Sequence, residues 1–321
     1  VRDNEYTVAR EHLRVDGWSL AKSTGQALLS KLMATGTPLG DYVNGKIYRG
    51  VLTGYNEAFV IDEATRNRLI AQDPRSADVI KPFLTGRDIK RYEAPLAEKY
   101  VIFLSRSWIR ANLNLTPQPP LQTGEGEKTN LSRGESTNPT GEGEKINTPT
   151  GESPLSTMER GFRGEVEWAW LNATYPAVMN YLAQFKDRLM PKPKGHIGEW
   201  NGRASGNYEW YELQTSIAYY EDFEKPKIVY AEIALNGKFT FDLKNHYSSD
   251  TTYIVSGLEI EDYYYLLGIF NSQIFTKLFS HVASQIRGGY LRWKAQYMDT
   301  MPSASASDTD RARLIALVQQ Q

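Results

Sequence analysis

One interruption limits what this chain can fold into. Between Leu115 and Val166 apolar residues nearly vanish and Pro, Gly, Thr, Ser and Glu dominate, so this stretch lacks the apolar surface whose burial offsets the entropy of ordering a chain. It also repeats itself. Thr123-Gly-Glu-Gly-Glu-Lys128 recurs as Thr140-Gly-Glu-Gly-Glu-Lys145, and Thr150-Gly-Glu152 begins a third copy. Too few and too polar for a solenoid, the copies read as a repeat element inserted into a folded domain. The expected organisation is therefore residues 1–116 as the first part of a domain, 117–165 as a low-complexity disordered insert, 166–302 as the second part, and 303–321 as the start of a C-terminal helix cut short at the chain end. The 321 residues suit two ordinary domains or one large domain with an insertion, since domains usually run to roughly 100–200 residues. With Val1 at its start and no charged-then-apolar leader, the chain is expected to be an internal piece of a longer polypeptide rather than a secreted precursor.

Periodicity supplies the elements. Ser23–Met33 has helical spacing, Glu63–Ala71 and Asp78–Leu84 read as helices, and Tyr100–Leu104 reads as a buried strand. Tyr42–Leu52 and Ala58–Asp62 are expected to form a hairpin across Thr53-Gly54-Tyr55-Asn56. After the interruption, Pro176 opens a helix with Val178, Leu182, Phe185 and Leu189 along one face. Strands follow at Tyr208–Leu213, Lys227–Ile233, Lys238–Leu243 and Thr251–Val255, with Asn236-Gly237 as a tight-turn signal. Ile260–Phe279 reads as one long helix and Asp310–Gln319 as the start of another. Runs of strands flanked by separate helices predict an α+β fold of twisted, mostly antiparallel sheets rather than regular βαβ units.

Several classes of function fall away. The chain has no cysteine, hence no disulfide and no thiolate metal site. Its four histidines (His12, His196, His246, His281) lack ligand spacing. The longest apolar stretches, Val101–Leu104 and Tyr263–Phe270, fall far short of the ~20 residues that span a bilayer, so no membrane association and a cytoplasmic location are expected. The 20 Tyr and 7 Trp suit either recognition surfaces or β-rich cores.

A net charge of −1 is ill-suited to binding nucleic acid, but distribution matters more than the sum. The span Pro117–Glu165 holds five Lys/Arg against eight Asp/Glu, which leaves the rest of the chain positive. Lys81–Arg110 holds seven basic residues against three acidic ones, and Arg287–Lys294 three against none. Such clusters are modest and are often only solvated faces.

No catalytic motif emerges. Base-flipping adenine methyltransferases need an Asn/Asp-Pro-Pro-Tyr/Phe loop to hold and stack the target base. The one Pro-Pro pair here is Gln118-Pro119-Pro120-Leu121, without acceptor or aromatic. Lys128-Thr129 imitates the end of a phosphate loop, but Glu127 stands where that loop needs Gly. Asp88-Ile-Lys90 and Asp242-Leu-Lys244 have the local order of a metal-dependent nuclease without an evident upstream partner. A hidden nuclease, or a scaffold that touches only protein, are the two rival readings.

Three stretches rise above this background. The first runs from Gly45-Lys-Ile-Tyr-Arg-Gly-Val-Leu-Thr-Gly-Tyr-Asn-Glu-Ala-Phe-Val-Ile-Asp62 to Ile80-Lys-Pro-Phe-Leu-Thr-Gly-Arg-Asp-Ile-Lys-Arg-Tyr92. The second is Phe223-Glu-Lys-Pro-Lys-Ile-Val-Tyr230, and the third runs from Tyr265-Leu-Leu-Gly-Ile-Phe-Asn-Ser272 to Met301-Pro302. In this order they resemble the TaqI-like C-terminal specificity domain of Eco57I-type, or type IIG, restriction-modification adenine methyltransferases. The resemblance implies a target-recognition domain that grips double-stranded DNA beside a catalytic methyltransferase domain of the same parent polypeptide, which methylates adenine at N6. Many relatives also carry a nuclease domain. It implies no cofactor in this chain; S-adenosylmethionine, and magnesium where the parent also cleaves, belong to the parent enzyme.

On that reading the DNA-contacting candidates are Arg49, Thr53, Asn56, Lys81, Arg87, Lys90, Arg203, Arg287, Tyr290 and Arg292. Arginine reads guanine and asparagine reads adenine in the major groove. Thr53 and Asn56 serve equally well to close a hairpin, and Arg87 to form an internal ion pair. Arg287, Tyr290, Arg292 and Trp293 flank Gly288-Gly289 and mix charge with flat rings, which suits backbone contact and stacking, although Trp293 reads better as a core anchor. Lys192–Arg203, with Lys194 and His196 among glycines, reads as a flexible arm or an ordinary connection.

Overall fold

A computed structural model describes residues 30–113, 157–303 and 305–321, with a short pairing of Leu13–Arg14 against Gly17–Trp18 ahead of them. Residues 30–35 are helical and overlap the helix expected at Ser23–Met33, of which residues 23–29 lie outside the described residues. The repeats of the polar interruption lie outside them too, although a helix already begins at Thr157, within the span taken as insert.

The first part contributes β1 (Ile47–Arg49), β2 (Val60–Ile61), α1 (Glu63–Gln72), β3 (Ile80–Leu84), β4 (Lys99–Ile102) and α2 (Arg106–Asn112). The second contributes α3 (Thr157–Thr174), α4 (Pro176–Ala183), β5 (Lys227–Ala231), β6 (Ile233–Ala234), β7 (Phe239–Asp242), β8 (Tyr247–Ser248) and β9 (Thr252–Val255). It ends with α5 (Ile260–Phe270), α6 (Gln273–Phe279), β10 (Leu291–Arg292) and α7 (Asp308–Gln319). The fold is α+β with mostly antiparallel sheets, as expected. One sheet runs β7-β5-β9-β1, wholly antiparallel. The other runs β8-β3-β4-β2, in which only the β8–β3 pairing is parallel.

Both sheets mix strands from the two sides of the interruption, which makes the two halves one domain. The β7-β5-β9-β1 sheet separates two cores. Val229 and Ile254 face the core built on Phe83, Val101, Phe103, Val178 and Leu182. Their neighbours Ile228, Tyr230, Tyr253 and Val255 face the core of Phe239, Phe270, Phe279 and Trp293. Alternate side chains of a strand point to opposite faces, so a strand covered on both sides is buried at every position and must be apolar or internally paired. Strand β5 is of this kind: Ile228–Ala231 are apolar or aromatic, and Lys227 at its start is paired with Asp242.

Four local expectations fail. The hairpin over Tyr42–Asp62 does not form: β1 pairs with β9 and β2 with β4, in different sheets. Between them the Thr53 hydroxyl bonds Asn56 Oδ1 at 2.6 Å and Asn56–Phe59 becomes a helical turn. Residues 80–84 form strand β3, not a helix, consistent with Pro82 disfavouring helical backbone at Lys81 before it. Tyr208–Leu213 is a turn, pinned when the Glu212 carboxylate accepts the Glu209 amide at 2.7 Å. The long helix at Ile260–Phe279 divides at Asn271-Ser272. There Asn271 accepts the amide of Phe239 at 3.1 Å and donates to its carbonyl at 2.9 Å, while Ser272 caps α6. Helix α7 packs back on α5, with the side chains of Leu314 and Val318 close around Gly268. Among the described residues no helix is long and apolar enough to cross a membrane.

Candidate nucleic-acid interface

The three stretches meet at one residue, Glu232, between β5 and β6. Its amide donates to the carbonyl of Thr251 at 2.8 Å, and its carbonyl accepts the amide of Trp293 at 2.7 Å. The backbone there joins the β9 end of one sheet to the segment that follows β10. The side chain is nearly buried, with Oε1 3.2 Å from a terminal nitrogen of Arg292 and Oε2 3.7 Å from one of Arg49. Arg49 also donates through Nε to the carbonyl of Asp250 at 2.9 Å, and lies 3.6 Å from its carboxylate. The Arg49 side chain is 48% exposed and that of Arg292 39%, against 11% for Glu232. Each arginine is thus held from the protein side and offers its remaining donors to solvent.

Gly50 makes this geometry possible. A Cβ there would lie 2.0 Å from the carbonyl oxygen of Ser249, so only glycine lets the end of β1 lie against residues 248–250. The turn Thr85–Asp88 reaches the same place: the Gly86 amide donates to the Thr251 hydroxyl at 3.1 Å. Asp88 fastens that turn by accepting from the amide and hydroxyl of Thr85 at 2.7 and 2.9 Å. Arg87 is left exposed at its tip.

A second loop rises from β10. Ser284 accepts the Arg292 amide at 3.1 Å and Tyr290 accepts that of Ile286 at 2.9 Å. Gly288 and Gly289 turn the chain at φ +85° and +79°, angles that cost other residues strain. Arg287 and Tyr290 are exposed on this loop. Trp293 is not on the surface: it stacks on Phe279 at 4.0 Å and donates through Nε1 to the carbonyl of Ala234 at 3.2 Å. It is the core anchor.

The structure assigns other candidates to the fold. Arg203 is buried, and its guanidinium donates to the carbonyls of Leu189, Thr53, Glu212, Glu209 and Trp210 at 2.7–3.1 Å. It has no donor left for a phosphate, and burial pushes its pKa down to about 10. Thr53 is buried as well, bonded to Asn56. Asn56 is exposed but already accepts through its amide oxygen. Lys81 pairs with Glu224 at 2.9 Å and Lys90 with Glu93 at 3.0 Å, so neither is brought to the junction by its bonds. The Lys192–Arg203 loop is pinned at its base by paired amides and carbonyls of Lys192, Arg203 and Met190, and His196 packs edge-on against Trp200.

The two carboxylates weighed as nuclease ligands serve the fold. Asp88 closes its turn, while Asp242 is fully buried between Lys227 at 2.7 Å and His246 at 2.8 Å. Among the described residues no group of three His, Asp or Glu is placed to hold a metal ion. Sequence reasoning missed Glu232 and Asp250. The signal for Glu232 was present: a lone carboxylate in Tyr230-Ala-Glu-Ile-Ala234 needs a charged partner if the strand is buried.

Residues 166–303 match the family model of the TaqI-like C-terminal specificity domain. That part of the chain is therefore similar to a specificity domain, over somewhat less than half of its length. The match covers the second and third stretches. The first, Gly45–Tyr92, lies outside it yet supplies β1 to the same sheet. Two solved structures show a distant likeness to the chain. One is the type IIL restriction-modification enzyme MmeI in complex with DNA, 10% identical, with a TM-score of 0.45, covering 85% of this chain and 27% of that one. The other is the type IIG restriction endonuclease BpuSI, 12% identical, with a TM-score of 0.40, covering 95% of this chain and 29% of that one. The chain therefore spans less than a third of either. No curated protein matches it.

Proposed function

We propose that the chain recognises a specific sequence in duplex DNA on behalf of a cytoplasmic restriction-modification enzyme that methylates adenine at N6, with the catalytic methyltransferase domain elsewhere in the parent polypeptide. The observation that carries this reading is the convergence of Arg49, Arg292 and the Arg87 turn on Glu232 and Thr251, from sequence segments far apart. Guanidinium groups with free donors suit both phosphates and the guanine edge in the major groove, and the neighbouring Arg287–Tyr290 loop adds charge beside an exposed ring. S-adenosylmethionine would be held by that catalytic domain, which would also supply the Asn/Asp-Pro-Pro-aromatic loop for the target base that this chain does not contain.

The test is selection of duplexes from a random library by the whole chain, followed by titration of the enriched duplex and a scrambled one across a salt series. Enrichment of one motif, with affinity that falls as salt rises, is expected. A library that emerges unchanged overturns the reading.

A further inference from the structure

We infer that Glu232 is a positioning residue that sets how sharply this domain discriminates between DNA sequences, by holding the guanidinium groups of Arg49 and Arg292 in fixed orientations. The inference rests on the DNA-recognition reading above and deepens it.

Arginine is a long side chain whose planar fork reads a base edge bidentately only when its plane is fixed. On a strand end, half-exposed, it would sample many rotamers, and that freedom must be lost on binding. Glu232 removes the freedom in advance for two arginines together, one from β1 and one from β10, with one carboxylate oxygen toward each. The carboxylate is itself rigid. Its backbone is fixed on both sides by Thr251 and Trp293, its side chain is nearly buried, and Trp293 is locked in the core. Supporting groups held this way are what keep a recognition constellation in register. Glu232 also offsets positive charge beside the arginines, together with Asp250. Indiscriminate attraction to phosphate is thereby lowered, while the directional donors stay available.

The carboxylate therefore acts on the difference between right and wrong sequences rather than on total affinity. Glu232→Gln keeps the shape and removes the charge. Measured on the enriched and the scrambled duplex, the variant should bind the scrambled duplex more tightly than the wild type does. Its ratio of enriched to scrambled affinity should fall by about tenfold, and its salt dependence should steepen, at a melting temperature within a few degrees of the wild type. Glu232→Asp, which keeps the charge, should recover part of the ratio. An unchanged ratio in a folded Glu232→Gln chain, beside a wild type that discriminates, overturns the inference and leaves DNA recognition standing. A wild type that prefers no duplex overturns both.

Should Glu232→Gln fail to fold, Arg49→Gln, Arg292→Gln and the double variant form a second test. Because both arginines share one carboxylate, their effects on the ratio should be coupled; strict additivity overturns the inference.

Discussion

The ammonium of Lys227 lies 2.7 Å from a carboxylate oxygen of Asp242, and neither side chain reaches solvent. The two face each other in register across β5 and β7. The lysine also donates to the carbonyl of Phe223, and Asp242 accepts the amides of Lys244 and His246. Lys227 falls in the Phe223–Tyr230 stretch, so this part of the resemblance marks a fold-closing ion pair rather than a contact with DNA. A buried pair contributes little net stability over an apolar one, but halving it strands a charge, at about 3–5 kcal/mol. Lys227→Met should lower the stability of the chain by that amount in urea denaturation. Pairing it with Asp242→Leu should restore part of the loss, and equal stability of Lys227→Met and wild type would refute the assignment.

Acid should act through the same carboxylate. Burial opposes the charge on Asp242, but bonding to His246 and the field of Lys227 outweigh it and hold its pKa down to about 2, from an ordinary 3.8. The folded state thus binds this proton less readily than the unfolded chain. The resulting stability is full above the ordinary value and is lost as the pH falls toward about 2. Urea midpoints followed from about pH 5 to pH 2.5 should decline more steeply in the wild type than in Asp242→Asn.

Arg203 should behave as a structural residue. Arg203→Ala leaves five carbonyls without their donor, at about 1–3 kcal/mol for each one that water does not reach. A large fall in melting temperature is expected, with the salt dependence of DNA binding unchanged in whatever fraction stays folded. Arg203→Lys should not rescue it, because an ammonium has three donors and no planar fork.

Arg87 should behave in the opposite way. Exposed at the tip of a turn that Asp88 fastens, it carries no visible structural duty. Arg87→Ala should leave the melting temperature within a degree or two, weaken enriched and scrambled duplexes alike, and reduce the slope of log affinity against log salt by about one. A slope identical to the wild type would remove Arg87 from the interface.

Element types were legible in the sequence where burial imposes a simple pattern. Strands β5 and β9 announce themselves by the runs Ile228–Ala231 and Tyr253–Val255 because both faces of their sheet are covered, β7 by its alternating Phe239 and Phe241, and Glu63–Gln72 shows its cap in Asp62, which accepts the Thr65 amide. Pairing partners were not legible. Nothing local to Tyr48 or Arg49 indicates that they lie beside Tyr253 and Ile254, so the neighbouring run Ala58–Asp62 looked like the natural mate. The break in the long helix was hidden for the same reason, since Asn271 leaves the helical pattern only to serve Phe239 from another element. Among the site candidates, Arg49, Arg87, Arg287, Tyr290 and Arg292 keep exposed groups. Arg203 and Thr53 do not, because glycines and polar neighbours describe a well-anchored turn and a mobile arm equally well.

The helices on either side of the polar repeats are fastened to each other. Arg110 of α2 lies 3.7 Å from Glu167 of α3, and Trp108 packs on Trp170 and Tyr175. These contacts join the two halves directly, and their strands interleave across both sheets. Severing the backbone at the repeats would accordingly yield two polypeptides with complementary faces, and recognition of DNA could be made conditional on bringing them together.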